Sequence, residues 1–337
     1  MTALPNALAR ALHEFLADYL PRLRGMSGHT VHSYRDCLAL LLRFVASRRS
    51  RPVVALDLDD LAPNIVIEFL SHLETKRGNC VATRNVRLAA IHAFFRHLAM
   101  AHPERLEQSQ RILAIPFKRS RHRAIEYLEH EEIQAVLATI DRTCRDGRRD
   151  YVLLVTMFNT GARVQEVLDL RPCDLQLARP IQVRLFGKGR KERFCPLWPQ
   201  TAEILRAHLE EHKIEPSSTE RLFRNHRGAP LTRFGVRYLL RRRCADASRV
   251  IPSLGKKRLH PHSMRHSTAV HLLRAGVDLV TISHWLGHAS PNTTNRYATV
   301  DLEIKRAAIA KAQPVGDAAV PSSWRADASI LEWLEAL

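Results

Sequence analysis

Six cysteines in 337 residues, at positions 37, 80, 144, 173, 195 and 244, stand far apart and make no CxxC pair. That spacing excludes a disulfide scaffold or a zinc ribbon, and a reducing cytoplasm fits it best. No apolar run approaches the ~20 residues that a membrane-spanning helix needs. The opening stretch, MTALPNALARALHEFLADYL, has charges inside its apolar positions and does not read as a secretory signal. Internal repeats, long low-complexity tracts and a Gly-rich phosphate loop are all missing. Acidic residues are in deficit, with 34 Asp and Glu against 52 Lys and Arg, a formal net charge of +18.

What is there is ordinary globular material. The chain is 45% hydrophobic and 26% charged, enough to build a core. At ~100–200 residues per domain, the length suggests two domains. The positive surplus points to a polyanionic partner, since binding nucleic acid releases counterions. The plainer alternative is a solvated surface rich in arginine. The sign reverses only near the end, where Asp317, Asp327, Glu332 and Glu335 face a single Arg325 over residues 313–337.

The periodicity predicts a helical domain over residues 1–112. Leu8, Leu12, Phe15, Leu16, Tyr19 and Leu23 recur at helical spacing, with Pro21 placed to bend or end the helix. A second helix runs from about Thr30 to Ser47. A third starts near Asp60 with Pro63 in its first turn and carries Ile67, Leu70 and Leu73. A fourth starts at Thr83 as N-cap, with Val86, Ile91, Phe94, Phe95 and Leu98 inward. Four such helices make a small bundle. Residues 113–125 follow as a basic linker. Its KRSRHR run holds Lys118, Arg119, Arg121 and Arg123, which suit contact with a phosphate backbone or simply a solvated charge run.

The second domain is expected over residues 126–312. Helices are predicted at about 130–140, 149–159, 200–213, 231–246, 262–275 and 280–286, with short ones near 291–297 and 302–312. Gly161 is placed to end the buried helix at 149–159. Residues 181–197 read as a β-hairpin, in which Val183 and Leu185 alternate with Arg184 while Gly187 and Gly189 supply the turn. The fold class is therefore mainly α: an N-terminal four-helix bundle plus an α+β domain with a small antiparallel sheet. The tail, 313–337, ends in ILEWLEAL, a short amphipathic helix that would need its own domain or a neighbouring subunit to cover it.

Four segments carry the chemistry: TGARVQE from Thr160, GKGRK from Gly187, HPHSMRH from His260, and LGHASPNTTNRY from Leu286 to Tyr297. Taken singly, each residue has a plain role. Arg163 pairs with Glu166 one turn on, Lys188 is an exposed turn lysine, His288 caps a helix, and Tyr297 packs. His260, His262 and His266 lack the carboxylate or cysteine companions of a metal site. Two fixed guanidiniums, Arg163 and Arg265, suit bidentate capture of one phosphate, which lysine does less well.

Taken together, TGARVQEVLDL, GKGRKER, HPHSMRHSTAVHLLRAG and WLGHASPNTTNRYA resemble, in order and spacing, the tyrosine recombinase (phage integrase) family. HTVHSYRDCLALLLRF and ATRNVRLAAIHAFFRHL resemble its core-binding domain more loosely. Ala162, Gln165 and Glu129 are small departures from the pattern. The resemblance implies that Arg163, Lys188, His262, Arg265, His288 and Tyr297 are catalytic, with Glu166 orienting the site and Lys191 a second hairpin lysine. It implies a nucleophilic tyrosine that forms a 3′-phosphotyrosyl link, no cofactor, and two domains clamped on duplex DNA. It further implies a homo- or hetero-tetramer acting at specific inverted-repeat sites, and no membrane. The bundle begins close to Met1, which predicts a compact enzyme without a separate arm-binding domain. A catalytically silent DNA-binding protein of the same fold and a type IB topoisomerase remain the alternatives.

Overall fold

The computed structural model describes residues 6–119, 125–187 and 191–287 together with Thr294 and Tyr297. Lys188, His288, Arg121, Arg123 and the C-terminal tail lie outside the described residues. The chain divides into two compact units, Met1–Arg123 and Ala124–Leu337. Among the described residues no helix is long and apolar enough to cross a membrane.

The first unit is all helical. Helix α1 (Ala7–His13) is capped by the Asn6 side chain and continues as wide π-helical turns over Glu14–Leu23. Pro21 lies inside those turns, and the chain reverses at Gly25, whose φ is +57°. Helices α2 (Gly28–Arg49), α3 (Pro63–Thr75), α4 (Val81–Ala101) and α5 (Leu106–Leu113) follow. Phe15, Leu41, Val45, Phe69, Leu73, Phe94, Phe95 and Leu98 fill the core. Phe15 meets Phe94 edge-on, with ring centroids 5.4 Å apart.

Three details differ from the periodic reading. Helix α4 starts earlier than Thr83: Cys80 is its extended N-cap, and the Thr83 hydroxyl sits 3.3 Å from the Cys80 sulfur. Ile67 and Val86 are exposed, because each lies off the stripe formed by Val66, Phe69, Leu70 and Leu73 on α3 and by Leu88, Ile91, Phe95 and Leu98 on α4. The fifth helix, α5, is too short and polar to announce itself.

The chain after α5 stays on this unit as far as the start of the basic run. Ile115 is buried in the core. Arg84 donates to the Pro116 carbonyl at 3.0 Å, Asn85 donates to the Lys118 carbonyl at 2.7 Å, and the Lys118 ammonium meets Glu74 at 2.7 Å. Lys118 and Arg119 are exposed.

The second unit begins with α6 (His130–Ala138), opened by Glu129, whose backbone N–H donates to Glu132 at 2.8 Å. Helix α7 (Arg145–Thr160) starts one turn before the expected position. That turn is polar, so hydrophobic period does not report it. Gly161, with φ +57°, ends α7. Helix α8 (Val164–Leu168) follows, then β1 (Leu175–Gln176), β2 (Gln182–Phe186) and β3 (Glu192–Pro196). The sheet is antiparallel in the order β1-β2-β3, with Val183 opposite Cys195 and Leu185 opposite Arg193. The hairpin is the one the alternation predicts, and β1 adds a two-residue edge.

Helices α9 (Pro199–Glu211), α10 (Arg233–Ala247), α11 (Ser253–Lys256), α12 (Pro261–Arg274) and α13 (Leu279–Leu286) complete the described unit. Helix α12 is pinned to its surroundings by small polar side chains. The Thr268 hydroxyl donates to the Phe158 carbonyl at 2.6 Å, and the Ser267 hydroxyl accepts the Leu128 N–H at 2.8 Å. These bonds fix the helix that carries His262, Arg265 and His266.

Candidate active site

Helix α13 organises the site by how it ends. The Asp278 carboxylate caps its N-terminus, accepting from Val280 and Thr281 at 2.9 Å each. At the other end Gly287, with φ +65°, turns the chain away and leaves carbonyls without intrahelical partners. Three guanidiniums take them. Arg193 Nε donates to the Trp285 carbonyl at 3.0 Å, Arg265 Nη2 to that of Leu286 at 2.7 Å, and Arg163 Nη2 to that of Gly287 at 3.3 Å. The negative end of the helix dipole favours this gathering of positive charge.

Each arginine is held a second time. Arg265, only 1% exposed, also donates from Nη1 to the Gly161 carbonyl at 2.8 Å. Burial pushes its pKa down to about 10, helped by the neighbouring Arg163, while Glu166 and Tyr297 act the other way, so it stays charged at neutral pH. Arg163 Nη1 donates to Glu166 Oε1 at 2.7 Å, and its backbone N–H donates to Oε2 at 3.0 Å. Arg193 Nη2 donates to Glu166 Oε2 at 2.7 Å. Burial alone would raise the Glu166 carboxyl, but Arg193 and Arg163 overcome it and hold the group below its ordinary range. Glu166 thus accepts from both arginines.

The pairing of Arg163 with Glu166 that the sequence offered as a plain role is present, and the same guanidinium also reaches α13. One tight approach keeps the geometry: a Cβ on Gly161 would fall 2.4 Å from a Leu286 methyl.

Tyr297 is 1% exposed and packs with Ala269, Val270, Ile282 and Leu286. Its hydroxyl lies 2.9 Å from His266 Nδ1, with the rings edge-on at 5.6 Å. His262, exposed in the first turn of α12, stands edge-on to His266 at 4.9 Å. The structure therefore brings together Arg163, Glu166, Arg265, Tyr297 and, next to His266, His262. Lys191 is exposed at the foot of the hairpin, and its carbonyl accepts the Gly187 N–H at 2.7 Å.

Two site residues escaped the sequence reading. Arg193 stands two residues before the buried Cys195 on β3, so strand period places both on the inner face. His266 follows Arg265 directly, and neither its spacing nor the family resemblance gives it a role beside Tyr297. Helix α10 adds a surface that was also missed: Arg233, Phe234, Arg237, Tyr238, Arg241 and Arg242 are all exposed on it. Phe234 is 80% and Tyr238 67% exposed.

Residues 126–303 match the phage integrase family, and residues 12–102 match its N-terminal SAM-like domain. The chain belongs to the phage integrase family. Among its relatives within that family, a Sinorhizobium fredii protein carrying the name integrase/recombinase y4rC is 39% identical over 98% of both chains. Tyrosine recombinase XerC of Herpetosiphon aurantiacus is 32% identical over 93% of this chain and 98% of its own. Among solved structures, the XerH site-specific recombinase bound to difH substrate superposes with a TM-score of 0.62 at 23% identity, covering 88% of this chain and 83% of that one. The Tn1549 transposon integrase in complex with circular intermediate DNA gives a TM-score of 0.64 at 17% identity, covering 88% and 98%. At these identities the structural likenesses are likenesses of fold, and the integrase fold is the one described above.

Proposed function

We propose that this integrase-family chain is a site-specific DNA recombinase that cuts and rejoins duplex DNA through a covalent 3′-phosphotyrosyl intermediate. The observation that carries the reading is the convergence of Arg163 and Arg265 on the end of α13, with Tyr297 packed in one cluster with Leu286, whose carbonyl Arg265 holds. Each guanidinium is anchored through some of its N–H groups and keeps others for a ligand. Such a pair suits the non-bridging oxygens of one phosphate and the charge that grows on them in the transition state.

In this reading the Tyr297 oxygen attacks phosphorus in line and the 5′ oxygen departs. Arg163, Arg265 and His288 stabilise the phosphoryl charge. Lys188 protonates the departing oxygen, and His262 assists proton handling at the nucleophile. Glu166 fixes the clamp. The phosphotyrosyl bond conserves the energy of the broken linkage, so a 5′-hydroxyl of another strand can reseal the backbone without a cofactor.

Binding is assigned to Lys118, Arg119, Arg121, Arg123 and Lys191, joined by the arginine and aromatic face of α10. The partner is duplex DNA at inverted-repeat sites, one subunit per half-site, with four subunits assembling for strand exchange. The domains run over 1–112, 126–312 and a tail at 313–337, joined by 113–125, whose first residues dock on the first unit. Six unpaired cysteines and a DNA substrate support a cytoplasmic location.

The test is a nicked suicide duplex built on the half-site that the chain itself selects from a randomised DNA pool. The wild-type chain is expected to trap a covalent adduct and Tyr297→Phe none. An adduct that persists in the phenylalanine variant overturns the reading, as does site-independent relaxation of plasmid DNA by the monomer.

A further inference from the structure

We propose that His266 is the group that takes the proton from Tyr297, an inference that rests on the recombinase reading above. Its ring nitrogen Nδ1 stands 2.9 Å from the tyrosine oxygen, within direct transfer distance, and the two rings meet edge-on. His262, by contrast, occupies the exposed first turn of α12 and meets the His266 ring edge-on at 4.9 Å.

The need for such a group is chemical. A phenol has a reference pKa of ~10 and is a weak nucleophile while it keeps its proton. An imidazole, at a reference value of ~6.5, is a poor acceptor from a resting phenol. It becomes a good one as the oxygen begins to bond to phosphorus and its acidity rises. With the ring proton on Nε2, Nδ1 offers a lone pair to the Tyr297 hydroxyl. In the forward step the O–H bond breaks and the proton passes to Nδ1. The Oη–P bond forms, the P–O5′ bond breaks, and its electron pair leaves on O5′, which Lys188 protonates. In resealing, the His266 imidazolium returns the proton as the phosphotyrosyl bond opens.

The position on α12 fits this duty. His266 directly follows Arg265, so the residue that grips the phosphate and the residue that deprotonates its attacker share one rigid turn. That turn is locked by Ser267 and Thr268, the two residues that follow it, through the bonds to Leu128 and Phe158. A proton acceptor on a loop would move relative to the clamp, whereas one on this turn does not.

The experiment uses the full chain and the suicide duplex described above, with adduct formation followed in single turnover and duplex affinity measured in parallel. His266→Ala is expected to bind DNA within twofold of wild type but to form adduct ~10²–10⁴-fold more slowly, the usual span of a lost general base. Added imidazole is expected to restore at least a tenfold gain in the alanine variant, saturably, and substituted imidazoles to work better as their pKa rises. His266→Gln, which can hold the phenol by a hydrogen bond but cannot take its proton, is expected to remain slow. Installing 3-fluorotyrosine at position 297 makes the nucleophile more acidic and is expected to shrink the loss; this arm and the glutamine variant carry the test should the alanine chain fold poorly.

Adduct formation by His266→Gln at the wild-type rate would reduce His266 to a positioning contact and overturn the proposal. So would imidazole rescue of His262→Ala but not of His266→Ala. No adduct from the wild-type chain would instead remove the recombinase reading itself, and this inference with it.

Discussion

Arg193 and Arg265 donate to adjacent carbonyls at the end of α13, those of Trp285 at 3.0 Å and Leu286 at 2.7 Å. One arginine arrives from strand β3 and the other from helix α12, so a single helix terminus ties the hairpin to α12. Arg193 closes the circuit through Glu166, with an ion pair of 2.7 Å whose side chains are 11% and 5% exposed. The site is thus a charge lattice in which no arginine depends on one partner alone.

Removing Arg193 should show what that lattice contributes. Arg193→Met keeps most of the side-chain volume but leaves Glu166 buried with one guanidinium fewer. Breaking a buried pair from one side costs about 3–5 kcal/mol. Urea unfolding of the second unit's signal should report a loss of that order, and adduct formation should fall because Glu166, without Arg193, is no longer fixed from β3 and holds Arg163 less firmly. An unchanged unfolding midpoint would show that Arg163 alone satisfies Glu166.

Acid stability follows from the same carboxylate. The folded protein holds Glu166 below its ordinary value of 4.5. A group depressed on folding stabilises the native state above its unfolded pKa, and that contribution fades as pH falls through the folded value. Wild type should therefore lose stability as the pH drops below about 4.5, and Glu166→Gln should lose less over that window while being less stable at neutral pH. Thermal unfolding across pH 3 to 7 checks the sign, and parallel curves for the two chains would contradict it.

The clamp arginine tests geometry against charge. Arg265 uses two nitrogens on the carbonyls of Gly161 and Leu286 and still has N–H groups for a phosphate. A lysine ammonium cannot hold two separated carbonyls and also present a fork. Arg265→Lys should bind duplex DNA nearly as well as wild type yet lose on the order of 10²–10³ in cleavage rate, comparable to losing one preorganised donor. Near-normal cleavage in the suicide assay would remove Arg265 from the clamp.

Much of this arrangement was legible in the chain. Helices α12 and α13 follow from period and from Gly287 as a left-handed stop, and the hairpin from alternation around Gly187. Gly161 was readable because only a residue tolerant of positive φ can end α7 there. What stayed hidden was hidden for physical reasons. Strand β1 has two residues and no period, the first turn of α7 and much of α5 are polar, and Ile67 and Val86 are apolar side chains exposed off the core stripe. Arg193 looked like one more charge in a basic hairpin until its inner-face position beside Cys195 was considered. The pairing of His266 with Tyr297 joins positions far apart in sequence, and no local pattern reports such contact.

The basic surface of α10 should make DNA binding depend steeply on salt. The exposed face of α10 carries Arg233, Arg237, Arg241 and Arg242 beside Phe234 and Tyr238, a combination in which cations meet phosphates and aromatic faces cover apolar or base surface. Polyanion binding through these groups releases counterions, so log affinity should fall linearly with log salt. Each arginine that contacts a phosphate accounts for ~0.9 of that slope in duplex DNA. Arg237→Ala and Arg241→Ala, measured separately by fluorescence anisotropy between 50 and 200 mM salt (a range chosen for ~10³-fold losses when many contacts are made), should each flatten the line by about that amount if the contact is to the backbone. If one instead reads a base edge, its loss should leave the slope nearly unchanged and weaken the preferred site more than a scrambled one, by ~1–3 kcal/mol. A variant that changes neither slope nor preference would take α10 out of the DNA interface.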